Sequence, residues 1–113
     1  VLEAAEAGNE RAKLAVDVYV TGIVRYIAAF AAELGGLDCL AFTGGIGENS
    51  DVIRKMVCER LAHMGIDLSK RRNTKGKGDR RITKKRSRVR VYVIAANEEL
   101  GVARKTYACE KNA

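Results

Sequence analysis

The sequence contains no proline and no tryptophan, and its only aromatic residues are four Tyr and two Phe. A core built from it must therefore be aliphatic, and the breaks between its elements must come from glycine and polar residues. Three cysteines, Cys39, Cys58 and Cys109, stand far apart without a CxxC pair, and His63 is the single histidine. That excludes the common Cys/His zinc sets. The scattered thiols are read as reduced, buried small hydrophobes. Residues 1–9 are acidic and Ala-rich, without the basic start of a signal peptide. No apolar run is read as reaching the length of a membrane span. A cytoplasmic protein with no membrane partner is expected. The first residue is Val, so the chain is also expected to be a piece of a longer protein.

What is present suits one α/β domain or part of one. The chain has 113 residues, of which 47% are hydrophobic, enough for a single core. The formal net charge of +7 is concentrated. Lys70 to Arg90, "KRRNTKGKGDRRITKKRSRVR", holds 12 of the 21 basic residues and one acid, Asp79, so the remainder is net acidic. Clustered cations suit phosphates, but no aromatic is interleaved to stack on bases. A solvated loop is the favoured reading and nucleic acid is disfavoured.

Apolar residues from Val16 to Leu34 recur at steps of three and four, which predicts a helix over 9–35, capped by Asn9 and ended by Gly35-Gly36. "LDCLAFT", residues 37–43, predicts a strand buried on both faces. Glycines mark residues 44–49 as a loop, and Ile53, Met56, Val57, Leu61 and Met64 predict a helix over 50–64, with Asn49 or Ser50 as its cap. "GIDLS", residues 65–69, can form a short strand. The basic loop, 70–86, leads into a strand at 87–96, where Val89, Val91 and Val93 alternate. A last helix is expected at 97–110, capped by Asn97.

Two strand-to-helix corners carry the candidate chemistry, because open sheets bind ligands at the carboxyl ends of their strands. The first is "TGGIGENS". Gly44, Gly45 and Gly47 allow positive φ and close approach of backbone to ligand, and free N–H groups of a helix start suit a phosphate. The stretch is not a P-loop, because no Lys-Ser/Thr pair follows it. Nor is it G-x-G-x-x-G, because Ser50 stands at the third glycine position. A tight packing turn is the competing reading. The second corner is "ANEEL", where adjacent carboxylates can serve either the helix dipole or a magnesium ion.

At these residues the sequence resembles the C-terminal part of acetate kinases and related short-chain acyl kinases. "GNERAKLAVDVYVTGIVRYIAAFAAELGGLDCLAFTGGIGEN", "IRKMVCERLAHMGIDL" and "VRVYVIAANEELGVARKT" are similar to that family in order and without gaps. The resemblance implies part of an RNase-H-like domain of the actin, hexokinase and Hsp70 ATPase type, a sheet flanked by helices. It implies reversible transfer of the ATP γ-phosphoryl group to acetate, with magnesium. It places the adenine nucleotide at Gly44, Gly45, Ile46, Gly47, Glu48 and Asn49, and the magnesium-associated carboxylate at Glu98, with Glu99 as the alternative.

Ala95 and Ala96 depart from the Pro-Thr usual before "NEE", and Gly101 replaces a larger apolar residue. The family's catalytic Asp, substrate-binding Arg residues and catalytic His have no match here, so no catalytic residue is assigned and the chain is expected to be inactive alone. Acetate or acyl phosphate would be bound only by the full-length enzyme. The strand at 37–43 would lack neighbours, so self-association is expected. The alternative function is a non-enzymatic module that binds nucleic acid or another acidic partner through the 70–90 segment.

Overall fold

The computed structural model describes residues 2–95. The expected helix at 97–110 and both candidate metal carboxylates, Glu98 and Glu99, lie outside them. The chain divides into two compact units, one through Gly35 and one from Gly36.

The first unit is a helical pair, α1 (Leu2–Glu6) and α2 (Glu10–Leu34). Asn9 starts α2 by accepting the Ala12 N–H on its side-chain oxygen at 3.0 Å. Gly35 ends it in the left-handed region, φ 78°, donating its N–H back to Ala31 and Ala32. Val16, Val20 and Ala31 are buried, while Leu14, Val18, Tyr26, Phe30 and Leu34 are exposed. One expectation needs correction here. Although Asp17 and Arg25 interrupt its apolar residues, α2 is long and apolar enough to cross a membrane, with a mean hydropathy of 1.6 over its best window. Helices of soluble domains also meet that criterion.

The second unit holds a three-stranded sheet, β1 (Cys39–Phe42), β2 (Arg80–Arg81) and β3 (Arg90–Val93), in the order β1-β3-β2. β1 and β3 are parallel, in the register Cys39↔Arg90 to Phe42↔Val93, and β2 is antiparallel to β3. Val89, Val91 and Val93 alternate with more exposed residues and bury one face of the central strand. They join Ile53, Val57, Leu61, Ile66 and Ile82 in a core that is mostly aliphatic, with Phe42 as its buried aromatic. Cys58 is free and buried, but Cys39 is disulfide-bonded, which corrects the reading of it as a reduced thiol.

Between the strands lie α3 (Gly44–Asn49), α4 (Asp51–Arg60), a 3-10 turn (Ala62–Met64) and α5 (Lys70–Thr74). Residues 44–49 were expected as a loop and form a short helix instead, because glycine-rich composition does not show that successive carbonyls find donors. Ser50, not Asn49, caps α4, accepting the Ile53 N–H at 3.2 Å. The short strand considered at 65–69 is reduced to two isolated bridges, Ile66 with Val89 and Leu68 with Thr83. The basic segment is not all loop, since it contains α5 and β2.

Candidate nucleotide site

The parallel pairing of β1 and β3 builds this site. Phe42 stands opposite Val93, and the Ile94 N–H donates to the Phe42 carbonyl at 2.9 Å. The glycine segment leaving β1 and the chain leaving β3 therefore emerge side by side at the carboxyl edge, where open sheets take ligands. A third segment joins them. Asp79 accepts the Ala95 N–H at 2.7 Å, and Arg80 donates to the carbonyls of Arg72 at 2.9 Å and Asn73 at 3.1 Å. The result is a cavity of about 200 Å³, lined by Glu48 and Asn49, by Gly76, Lys77, Gly78 and Arg80, and by Val93 and Ala95. That volume is below the ~300–1,000 Å³ of a complete small-molecule pocket. It suits one part of a nucleotide rather than the whole.

The candidate residues divide. Glu48 and Asn49 line the cavity, while Gly44, Gly45, Ile46 and Gly47 do not. Gly44 has φ 81°, a conformation that strongly favours glycine. A Cβ on Gly47 would lie 3.3 Å from the Phe42 carbonyl carbon, so this glycine lets the helix pack on the end of β1. That is the packing-turn reading, and it holds at this position. Gly45 has neither constraint: its φ is not positive, and a Cβ there meets nothing within 4 Å. The side chain of Ile46 is half exposed. The Asn49 side-chain amide donates to the Gly45 carbonyl at 2.9 Å.

Sequence reasoning missed the 76–80 loop and Arg54. The loop had a legible signal, glycines alternating with lysines in "KGKGD". A Cβ on Gly76 would overlap the side chain of Arg80, which folds across it. Arg54 is buried, and that burial lowers its pKa from the ordinary guanidinium value, with Arg80 adding to the shift and Asp51 opposing it. It had no signal, because an Arg on an amphipathic helix is read as a solvated residue. Among the described residues no group of three or more His, Cys, Asp or Glu is gathered to hold a metal.

The sequence profile of the Acetokinase family matches residues 1–104. The chain belongs to the acetokinase family. It is 47% identical over 104 residues to an acetate kinase of Acholeplasma laidlawii, covering 92% of this chain and 26% of that protein. Its fold matches an acetate kinase of Porphyromonas gingivalis with a TM-score of 0.78 at 40% identity, covering 95% of this chain and 27% of the other. A propionate kinase of Francisella tularensis matches with a TM-score of 0.76 at 35% identity, covering 91% and 26%. The chain thus spans about a quarter of the length of these family members, and its sheet and flanking helices are part of an actin-type ATPase domain. Both an acetate kinase and a propionate kinase therefore resemble this chain over the same segment.

Proposed function

We propose that the chain supplies one wall of the adenine-nucleotide site of an acetate kinase, the enzyme that interconverts ATP and acetate with ADP and acetyl phosphate. The observation that carries this reading is the cavity where the family's glycine segment meets the end of β3, at Glu48, Asn49, Val93 and Ala95. In this reading Gly44, Gly45, Ile46, Gly47, Glu48 and Asn49 contact the nucleotide, with the exposed Ile46 side chain offering apolar surface to the base. Glu98, or Glu99 beside it, holds magnesium, which would neutralise charge on the phosphates. Phosphoryl transfer demands mainly positioning and charge neutralisation from a protein, so a segment devoted to holding nucleotide is a coherent share of that task. Acetate binding and the transfer step are not assigned to residues of this chain. We place the protein in the cytoplasm and read α2 as a domain helix, since the family match runs through it.

Titration calorimetry with Mg-ADP tests the proposal. Gly45 is the cleanest position for a variant, because its φ is not positive and a Cβ there meets nothing within 4 Å. Gly45→Val and Glu98→Ala should each weaken binding by about tenfold or more, ~1.4 kcal/mol. Absence of Mg-ADP binding by the parent chain, or unchanged affinity in both variants, refutes it.

A second reading has its own observation. Arg71, Arg72, Lys75, Arg80 and Arg81 surround a hollow of about 380 Å³. Such a surface suits a polyanion, so the chain could act as a binding module without catalysis. Salt-sensitive RNA binding, lost when Arg80, Arg81, Arg86 and Arg88 are neutralised, would favour this reading if Mg-ADP does not bind.

A further inference from the structure

We propose that Arg54 is a positioning residue for the nucleotide-binding segment: its guanidinium fixes the Gly47 and Glu48 carbonyls and ties them to Asn73 of α5, on whose carbonyl the cavity-lining Arg80 also rests. The inference rests on the nucleotide reading above and deepens it.

The argument begins with the carbonyls at the end of α3. The last carbonyls of any helix lack intrahelical partners, and only Ser50 separates α3 from α4. Four successive oxygens are nonetheless satisfied. Gly45 O accepts from the Asn49 side chain and Ile46 O from the Ser50 N–H, each at 2.9 Å. Gly47 O and Glu48 O both accept from Arg54 Nη1, at 2.9 Å each. The C-terminal half of the candidate nucleotide segment is therefore held by one side chain reaching back from α4.

The other edge of the same guanidinium grips a distant segment. Nε donates to Asn73 Oδ1 and Nη2 to the Asn73 carbonyl, both at 2.7 Å. Asn73 is itself buried, and its amide nitrogen returns to the Asp51 carbonyl at 2.9 Å. The Asn73 carbonyl also accepts from Arg80 Nη2 at 3.1 Å, and Arg80 lines the same cavity as Glu48 and Asn49. Arg54 and Asn73 thus form a hub whose spokes reach both walls.

A role in packing alone does not account for this choice of residue. Arg54 is 2% exposed, and its four acceptors are neutral oxygens. Burying a guanidinium is costly, and an apolar residue of similar volume often packs as well or better. What the apolar residue cannot do is satisfy four oxygens on two segments at once. Lysine cannot either, because its donors radiate from a single atom, whereas the guanidinium is a rigid fork.

The test measures amide hydrogen exchange and Mg-ADP affinity on the chain and three variants. Arg54→Lys should raise exchange in residues 44–50 by about tenfold or more while β3 stays protected. It should also raise the Mg-ADP dissociation constant by about tenfold or more. Val57→Ala, on the same helix but pointing into the core, is the control for lost stability. At matched thermal stability it should change neither quantity by more than about twofold. If Arg54→Lys does not fold, Asn73→Ala replaces it, with the same expectations. Unchanged exchange in 44–50, an equal rise in Val57→Ala, or raised exchange with unchanged affinity overturns the proposal. If the parent chain does not bind Mg-ADP, the nucleotide reading fails, and with it the functional part of this one. The exchange comparison then separately decides whether Arg54 holds the segment.

Discussion

At Gly44 the backbone turns to φ 81°, at Gly47 it passes against Phe42, and at Gly45 it meets nothing. Three identical letters within four positions therefore meet three different local demands, and only the unconstrained one lets ligand contact be tested apart from folding. Cys58 shows environment acting on a single group in another way. Burial pushes its thiol up from 9.0 to about 12, the nearby Arg54 opposing the shift and Glu59 adding to it. The thiolate is the nucleophile, so Cys58 should resist alkylation in the folded chain near neutral pH and react readily once denaturant is added. Peptide mapping by mass spectrometry checks this, and rapid labelling of native Cys58 would contradict it. The same shift sets a pH dependence. The folded state binds this proton more tightly than the unfolded state, so its contribution is fully present below pH 9. It is lost progressively as pH rises through about 12.

The elements form where short-range signals agree. α2 has a matched pair of ends, Asn9 and Gly35, and its bounds lie within a residue of those caps. α4 depends on Ser50, whose hydroxyl takes the Ile53 N–H and whose carbonyl takes the Arg54 N–H. Ser50→Ala should cost about 1 kcal/mol of stability, read as a lowered midpoint in urea. Loss of the cap also frees the start of the helix that carries Arg54, so exchange in residues 44–50 should rise as well. An unchanged midpoint would show that the cap contributes nothing. The basic segment is where short-range signals mislead. Its charge suggests a uniform solvated loop. Yet Ile82 and Thr83 are fully buried within it, and the Thr83 hydroxyl accepts from the Val91 N–H at 3.3 Å and from Arg81 Nε at 3.1 Å. Charge density hid two residues whose burial is decided by pairing with β3.

On the scale of the whole molecule, the strand order leaves β1 paired on one side only among the described residues. An unpaired strand edge offers N–H and C=O groups to another chain. The chain is therefore expected to self-associate at high concentration, giving a dimer or larger species by size exclusion with light scattering. A stable monomer under those conditions would count against it. The net charge of +7 sets a second whole-molecule trend. Repulsion between copies is screened by salt, so association should strengthen as ionic strength rises.

How much was legible follows from the range of each interaction. Helix periods, caps and the alternation of Val89, Val91 and Val93 are short-range patterns, and they revealed an α/β chain with its candidate corner at Gly44–Asn49. Motif similarity likewise pointed to the acetokinase family, because family motifs are local strings of residues. Three-dimensional proximity was not available from such patterns. The register of β1 against β3 brought Phe42 beside Val93 across more than fifty positions. The loop with Lys77 and Arg80 folded in to line the cavity, and Asn73 came to lie against Arg54. Those relations depend on which carbonyls find donors once the chain is compact, a condition satisfied between distant segments and written in none of them alone.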